Sequence, residues 1–218
     1  LRCRAIIDVM ASRTHLAAVI SGALLLPPAA AAEWRLEAFT GTAHNFTTPL
    51  TVRQPGSPDF EMDARYDTKP FTGSPYYSAR LAWWKGSSGW EIQFLHHKLY
   101  LANPSDEVSH LEISHGYNLV TLNRAWEVKG LVLRGGAGIV YTFPETTVRG
   151  RQRPVLGYDF SGFTAAAGLG GRWPRTSRLS LSGEMRLTLT WATIPVFDGE
   201  AEVPNHALHI LAGLAFRF

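Results

Sequence analysis

From residue 33 to residue 218, apolar and polar side chains alternate with a period of two in stretches close to the ~10 residues of a membrane-crossing strand. In the first stretch Trp34, Leu36 and Ala38 oppose Glu33, Arg35 and Glu37. In the second, from Pro75 to Trp84, Tyr77, Ala79, Leu81 and Trp83 alternate with Ser78, Arg80 and Ala82. Gly86-Ser87-Ser88-Gly89 then reads as a tight turn, after which Trp90, Ile92 and Phe94 oppose Glu91 and Gln93. A fourth stretch, 109–124, sets Leu111 and Ile113 against Glu112 and Ser114. Leu131, Leu133, Ala137, Ile139 and Tyr141 form a fifth, and 158–172 a sixth that is rich in glycine and alanine. Leu179, Leu181, Met185, Leu187 and Leu189 face away from Ser180, Ser182, Glu184 and Arg186 in the seventh. The last stretch, from Asn205, carries Leu208, Ile210, Ala212, Leu214, Phe216 and Phe218 at every second position.

Period two means β-strand, because successive side chains leave a strand on opposite faces. The connections alternate long and short: 45–74, 85–88, 102–108, 127–130, 144–157, 173–177 and 193–204. Together they predict an all-β, transmembrane, antiparallel up-and-down barrel of eight strands over 33–218, with long loops extracellular and short turns periplasmic. Closure is required physically, since an open sheet edge in hydrocarbon leaves peptide groups unpaired at several kcal/mol each. Trp34, Trp83, Trp84, Trp90, Tyr76, Tyr77, Tyr141, Trp173 and Trp191 fall near strand ends and are expected in interfacial girdles. A soluble β-sandwich would use the same alternation, but the strand length and the terminal aromatic Phe218 favour the barrel.

The first 32 residues do not alternate. Arg2, Arg4 and Arg13, an apolar run from Leu16 to Leu26, and Ala30-Ala31-Ala32 read as a secretory signal peptide with cleavage after Ala32. The run is shorter than the ~20 apolar residues of a spanning helix, and no window after Ala32 reaches that length either. Setting the segment aside removes three basic residues and Asp8, which takes the formal charge from +3 to +1 and leaves no basic stripe suited to nucleic acid. It also removes Cys3, the only cysteine, and with it any disulfide, thiolate ligand or cysteine nucleophile. The expected location is the bacterial outer membrane, the expected state a monomer, and the expected partners outer-membrane lipid and lipopolysaccharide.

An eight-stranded barrel has room inside only for side chains. Glu91, Glu112, Arg134, Glu184, Arg186, His209 and Arg217 are therefore expected to pair within the lumen rather than line a pore. Two segments are denser in ionisable groups than packing needs: Phe94-Leu95-His96-His97-Lys98-Leu99-Tyr100, and Leu111 to Asn118. Both flank one extracellular loop, which brings His96, His97, Lys98, His110, Glu112 and His115 toward one rim. Imidazoles and a carboxylate there could bind a metal or transfer protons, although His96 and His97, as neighbours, must face opposite ways. A rim that holds lipopolysaccharide phosphates through Lys98 with Arg149 or Arg151 needs no catalysis at all. Ser114-His115 and Ser109-His110 are adjacent pairs whose side chains should diverge, which weakens any serine–histidine chemistry.

A set of residues along the barrel also carries a family resemblance. It comprises Pro75-Tyr76-Tyr77 with Arg80; Phe94, His96, Lys98 and Tyr100; Leu111-Glu112, Gly116, Asn118 and Leu122-Asn123. Gly136-Ala137-Gly138, Pro144-Glu145, Gly183-Glu184 with Arg186, and Asn205 with Phe216-Arg217-Phe218 complete it. In order and spacing these resemble the outer-membrane lipid A oxidases of rhizobia and their relatives. His115 stands where that family implies an acidic residue, and Met185-Arg186 replaces an aromatic–lysine pair. The resemblance implies O2-dependent oxidation of the proximal glucosamine of lipid A to an aminogluconate, with His96, Lys98, Glu112, Asn118 and Glu184 as site residues. In that picture Glu112 is the base, Lys98 binds a phosphate and His96 is a metal ligand or proton relay. The alternative is a non-catalytic barrel that stabilises the membrane or binds lipopolysaccharide.

Overall fold

Strand pairing closes on itself. A computed structural model describes residues 32–154 and 157–218, and every one of its pairings is antiparallel. The strands are β1 (Ala32–Asn45), β2 (Thr48–Arg53), β3 (Phe60–Ala64), β4 (Tyr66–Asp67), β5 (Tyr77–Lys85), β6 (Ser88–Leu101) and β7 (Val108–Val128). They continue as β8 (Leu131–Thr142), β9 (Glu145–Val148), β10 (Arg151–Gln152), β11 (Asp159–Pro174), β12 (Leu179–Val196), β13 (Gly199–Glu202) and β14 (Asn205–Arg217). Eight of them make the ring β1-β5-β6-β7-β8-β11-β12-β14, and β14 returns to β1 from Arg35↔Arg217 to Asn45↔Ala207. The fold class and the eight-strand count read from the alternation are those observed. The expected signal segment lies outside the described residues except for Ala32, which opens β1.

The long connections are not loops in the ordinary sense. β2, β3 and β13 form a second sheet on the outer end of β12, β9 and β10 extend β7, and β4 pairs with β6. Their inner faces bury Leu50, Val52, Leu99, Leu111, Ile113, Val148, Ile194 and Val203, which form an apolar cap over the extracellular end of the lumen. The alternation thus continues beyond the membrane into the extracellular extension, so the long connections expected as loops are largely strands.

The outer surface of the ring is apolar, with Trp34, Leu36, Leu81, Trp83, Ile92, Leu122, Leu133, Phe163, Leu187 and Ile210 all exposed. So much contiguous exposed hydrocarbon is stable only against lipid. Two aromatic rows bound it. Near the short turns, Trp34, Trp83 and Trp90 are register partners, and Arg124 lies 5.3 Å over the Trp90 ring. Near the long extensions, Tyr77 and Tyr141 hold the corresponding positions, and Phe160 follows in register with Tyr141. Along β5 the two rows are six residues apart, about 20 Å at the rise of a strand. Trp84 and Tyr76, expected in these girdles, instead point into the lumen at 1% and 0% exposure, as the parity of their neighbours Trp83 and Tyr77 requires.

Inside, charge is paired with charge. Among the described residues Glu37, Glu91 and Glu184 face Arg80, Arg134, Arg172 and Arg186. Arg80 Nη1 donates to Glu37 Oε2 at 2.6 Å, and its Nη2 donates to Glu184. Arg134 Nε donates to Glu91 at 2.8 Å, Arg134 Nη1 lies 3.3 Å from Glu184 Oε2, and Arg186 Nη1 lies 3.2 Å from Glu184 Oε1. Glycines make room: a Cβ on Gly168 would sit 2.7 Å from Glu184 Oε1. Of the residues expected in this network, Glu91, Arg134, Glu184, Arg186 and His209 are in the lumen, and Arg217 pairs with Glu33 at the periplasmic mouth at 3.3 Å. Glu112 is not; it faces outward on β7, because Leu111 and Ile113 take the inward parity.

Three guanidiniums converge on Glu184, so its neutralisation leaves buried cations without a counter-charge, a change of the kind that costs about 3–5 kcal/mol. Glu184→Gln is expected to lower the urea midpoint of the folded barrel accordingly, read as the loss of heat-modifiable mobility. A midpoint equal to that of the parent chain would show the cluster to be energetically idle.

Candidate site on the outer wall

β6 and β7 present polar groups where the rest of the wall presents hydrocarbon. His96 and Asn118 are register partners within the extracellular aromatic row, between Tyr77 and Tyr141. His96 Nδ1 and Asn118 Oδ1 are 2.8 Å apart, and Tyr77 stacks on the imidazole at 5.0 Å. His96 is only 5% exposed, and its Nε2 is buried without a hydrogen-bond partner.

The local backbone is built for Asn118. Between Tyr117 and Ile113 the β6–β7 register shifts, and Gly116 takes φ 133°, a left-handed value that side chains rarely adopt. A Cβ there would lie 2.3 Å from the Asn118 amide. Glycine at 116 is therefore fixed twice, by backbone conformation and by the side chain folded over it.

Lys98 follows His96 on the same face and is fully buried. The segment 69–76 crosses it as a strap, and Nζ donates to the carbonyls of Thr72 and Ser74, each at 2.6 Å. Phe71, at the strap's outer side, is 82% exposed.

Beyond Lys98, Asp67, Tyr100, Glu112 and Glu145 are consecutive register partners on β4, β6, β7 and β9. Tyr100 is four positions beyond His96, about 13 Å along the strand, so this row stands outward of the aromatic row. Lys69 Nζ lies 4.6 Å over the Tyr100 ring. His115 reaches Glu145 Oε1 at 3.3 Å through Nδ1, and His110 Nε2 reaches Glu112 Oε2 at 4.0 Å.

The structure brings His96, Lys98, Glu112 and Asn118 onto one strip of the outer wall. It leaves Glu184 apart from them, inside the barrel with its three arginines. His97, expected to face away from His96, does so: its Nε2 meets Asn45 Oδ1 in the lumen at 2.9 Å. Arg149 is committed to Glu107, Gln54 and Pro58 on the extracellular cap, and Arg151 stacks over Phe197 at 3.7 Å. Neither joins Lys98 in a phosphate cradle.

Ser114 and His115, expected to diverge, are brought within 3.4 Å by the irregular backbone at Gly116. Both Ser114 and Glu145 meet the same imidazole nitrogen, Nδ1. A serine–histidine–acid relay needs the two ring nitrogens separately, so this contact is not one. Among the described residues no group of three or more His, Cys, Asp or Glu side chains is gathered around a point where a metal ion would sit. Tyr77, Tyr100 and Glu145 belong to the strip and were not singled out as site residues. Their sequence signal was the outward parity that they share with His96 and Glu112.

No family model matches the chain, and no curated protein does. Solved structures do. AlkL, an outer membrane protein solved in lipid bilayers, aligns over 87% of this chain and 92% of its own at 11% identity with a TM-score of 0.54. Neisserial surface protein A aligns over 86% and 99% at 9% identity with a TM-score of 0.42. Ail, the attachment invasion locus protein of Yersinia pestis, aligns over 86% and 97% at 12% identity with a TM-score of 0.40. At such identities the likeness concerns the fold, and AlkL carries it: this chain has the fold of a small outer-membrane β-barrel.

Proposed function

We propose that the protein modifies lipid A in the outer leaflet by oxidising its proximal glucosamine, at the strip formed by His96, Asn118, Lys98 and Glu112. The observation that carries this reading is the placement of these groups on the lipid-facing wall, with hydrocarbon below and a row of carboxylates further outward. Glu112 is partly open on that wall, and a ligand in the membrane plane reaches the buried His96, Asn118 and Lys98 when the 69–76 strap is displaced. A glycolipid has the matching layout, with acyl chains along Tyr77, Tyr141 and Phe160 and sugar beside Tyr100, Glu112 and Glu145.

In the reaction, on lipid A whose proximal glucosamine has a free anomeric hydroxyl, the hemiacetal loses two electrons with its C–H hydrogen and its O–H proton to O2, forming a lactone and hydrogen peroxide. Water then opens the lactone to the acid, a net gain of one oxygen atom. In this reading Glu112 takes the hydroxyl proton, and His96, held in orientation by Asn118 and Tyr77, offers its unpartnered Nε2 once the strap is displaced. Lys98 holds the strap, and Glu184 supports the wall from inside.

One observation favours a second reading, a non-catalytic barrel that binds lipopolysaccharide. The Lys98 ammonium, the phosphate ligand in the resemblance, already donates to two carbonyls of the strap. Mass spectrometry separates the readings. Lipid A from cells expressing the chain is expected to gain the mass of one oxygen, and Glu112→Gln is expected to slow that gain by about a hundredfold, the scale of a lost general base. Unchanged lipid A beside a fully folded barrel would leave the binding reading.

Strap closure is testable by itself. Lys98→Met removes two charge-assisted hydrogen bonds, each worth about 1.5–3 kcal/mol. Cleavage within 69–76 by a protease added to the refolded protein is expected to accelerate at least tenfold while heat-modifiable mobility is kept. Unaltered cleavage would show that Lys98 does not hold the segment.

A further inference from the structure

The opposite end of the barrel carries an unrelated feature. At the periplasmic mouth a cavity of about 350 Å3 is walled by Arg35, Arg172, Arg178 and Arg217, with hydroxyls from the 176–180 turn and a single carboxylate, Glu127. A second cavity of about 380 Å3 shares Ser177, Arg178 and Arg217 with the first and continues outward to Glu33 and Phe218.

The acids nearby do not balance the guanidiniums. Glu33 pairs with both Arg35 and Arg217. Arg172 divides itself between Glu127 at 3.4 Å and Glu37 at 3.3 Å, and Glu37 is already held by Arg80. Among the described residues Arg178 has no carboxylate within ion-pair distance, and it is exposed at the turn. The buried Trp84 indole lies between Arg35 at 4.9 Å and Arg172 at 4.6 Å, and its Nε1 has no acceptor. With Glu33 and Glu127 shared among three of the four guanidiniums, the recess keeps an excess of positive charge that an anion would offset, and planar guanidinium forks match the oxygens of a phosphate better than a spherical chloride.

We propose that the periplasmic mouth is a binding site for a phosphate group, engaged by Arg35, Arg172, Arg178 and Arg217. The phosphate can belong to a phospholipid headgroup of the periplasmic leaflet, entering past Phe218, or to a soluble phosphate compound of the periplasm. The site is independent of the outer-wall chemistry, at the other end of a lumen filled by the charge cluster.

The experiment uses the refolded barrel in detergent at low ionic strength, where exposed charges are least screened. Inorganic phosphate is titrated while tryptophan emission is followed. A saturable response absent with chloride of equal ionic strength is expected, weakened about tenfold in Arg178→Glu and in Arg217→Gln, both checked for heat-modifiable mobility. Native mass spectrometry from micelles doped with phosphatidylglycerol distinguishes the sources. Lipid retained by the parent chain and lost by Arg178→Glu assigns a headgroup, and phosphate binding without lipid retention assigns a soluble ligand. No saturable response in the folded parent barrel, or an affinity in both variants equal to that of the parent, overturns the proposal.

Discussion

Hydrocarbon offers no partner to a peptide group, and that constraint organises the whole molecule. A single unpaired strand edge in lipid would cost several kcal/mol for each exposed N–H or C=O. The pairing of β1 with β14 removes that edge, from Arg35↔Arg217 to Asn45↔Ala207. Once the ring is closed, each strand has one face in lipid and one in a narrow interior, and the two faces follow opposite rules. The outward face can be almost wholly apolar. The inward face must fill a tube too tight for bulk water with groups that satisfy one another.

The interior solves this with guanidinium–carboxylate pairing and with glycines that admit it. Glu184 meets three arginines, and Arg80 meets three carboxylates. Burying ions is expensive, and such clusters persist when hydrogen bonding is nearly complete. The result is a solid wall support rather than a channel, and the apolar cap above it shuts the extracellular end. Chemistry is left to the outer surface and to the two mouths.

On the outer surface the polar strip of β6 and β7 violates the rule that holds elsewhere on the wall. A histidine–asparagine pair inside an aromatic row, and a lysine beneath a strap, sit where an aliphatic residue would be the simplest choice. Such departures from local consistency are where function is expected. The strap lets the violation stand, because its carbonyls supply Lys98 with acceptors that lipid could not.

The alternation alone determined the strand count, the antiparallel ring, the aromatic rows and the side of the wall on which most residues lie. Trp84 and Tyr76 had to be internal once Trp83 and Tyr77 were external, and the same parity assigned Glu112 to the outside and Glu37 and Arg80 to the lumen. Tertiary structure alone decided which of the outward polar residues meet. That depends on cross-strand register, on the positive φ of Gly116, on the extra strands within the long connections and on the strap over Lys98. Parity repeats every two residues and is written locally, whereas register and strap closure join residues far apart in sequence, such as Lys98 with Thr72 and Arg80 with Glu184. Pairings of that kind are settled only when the ring has closed.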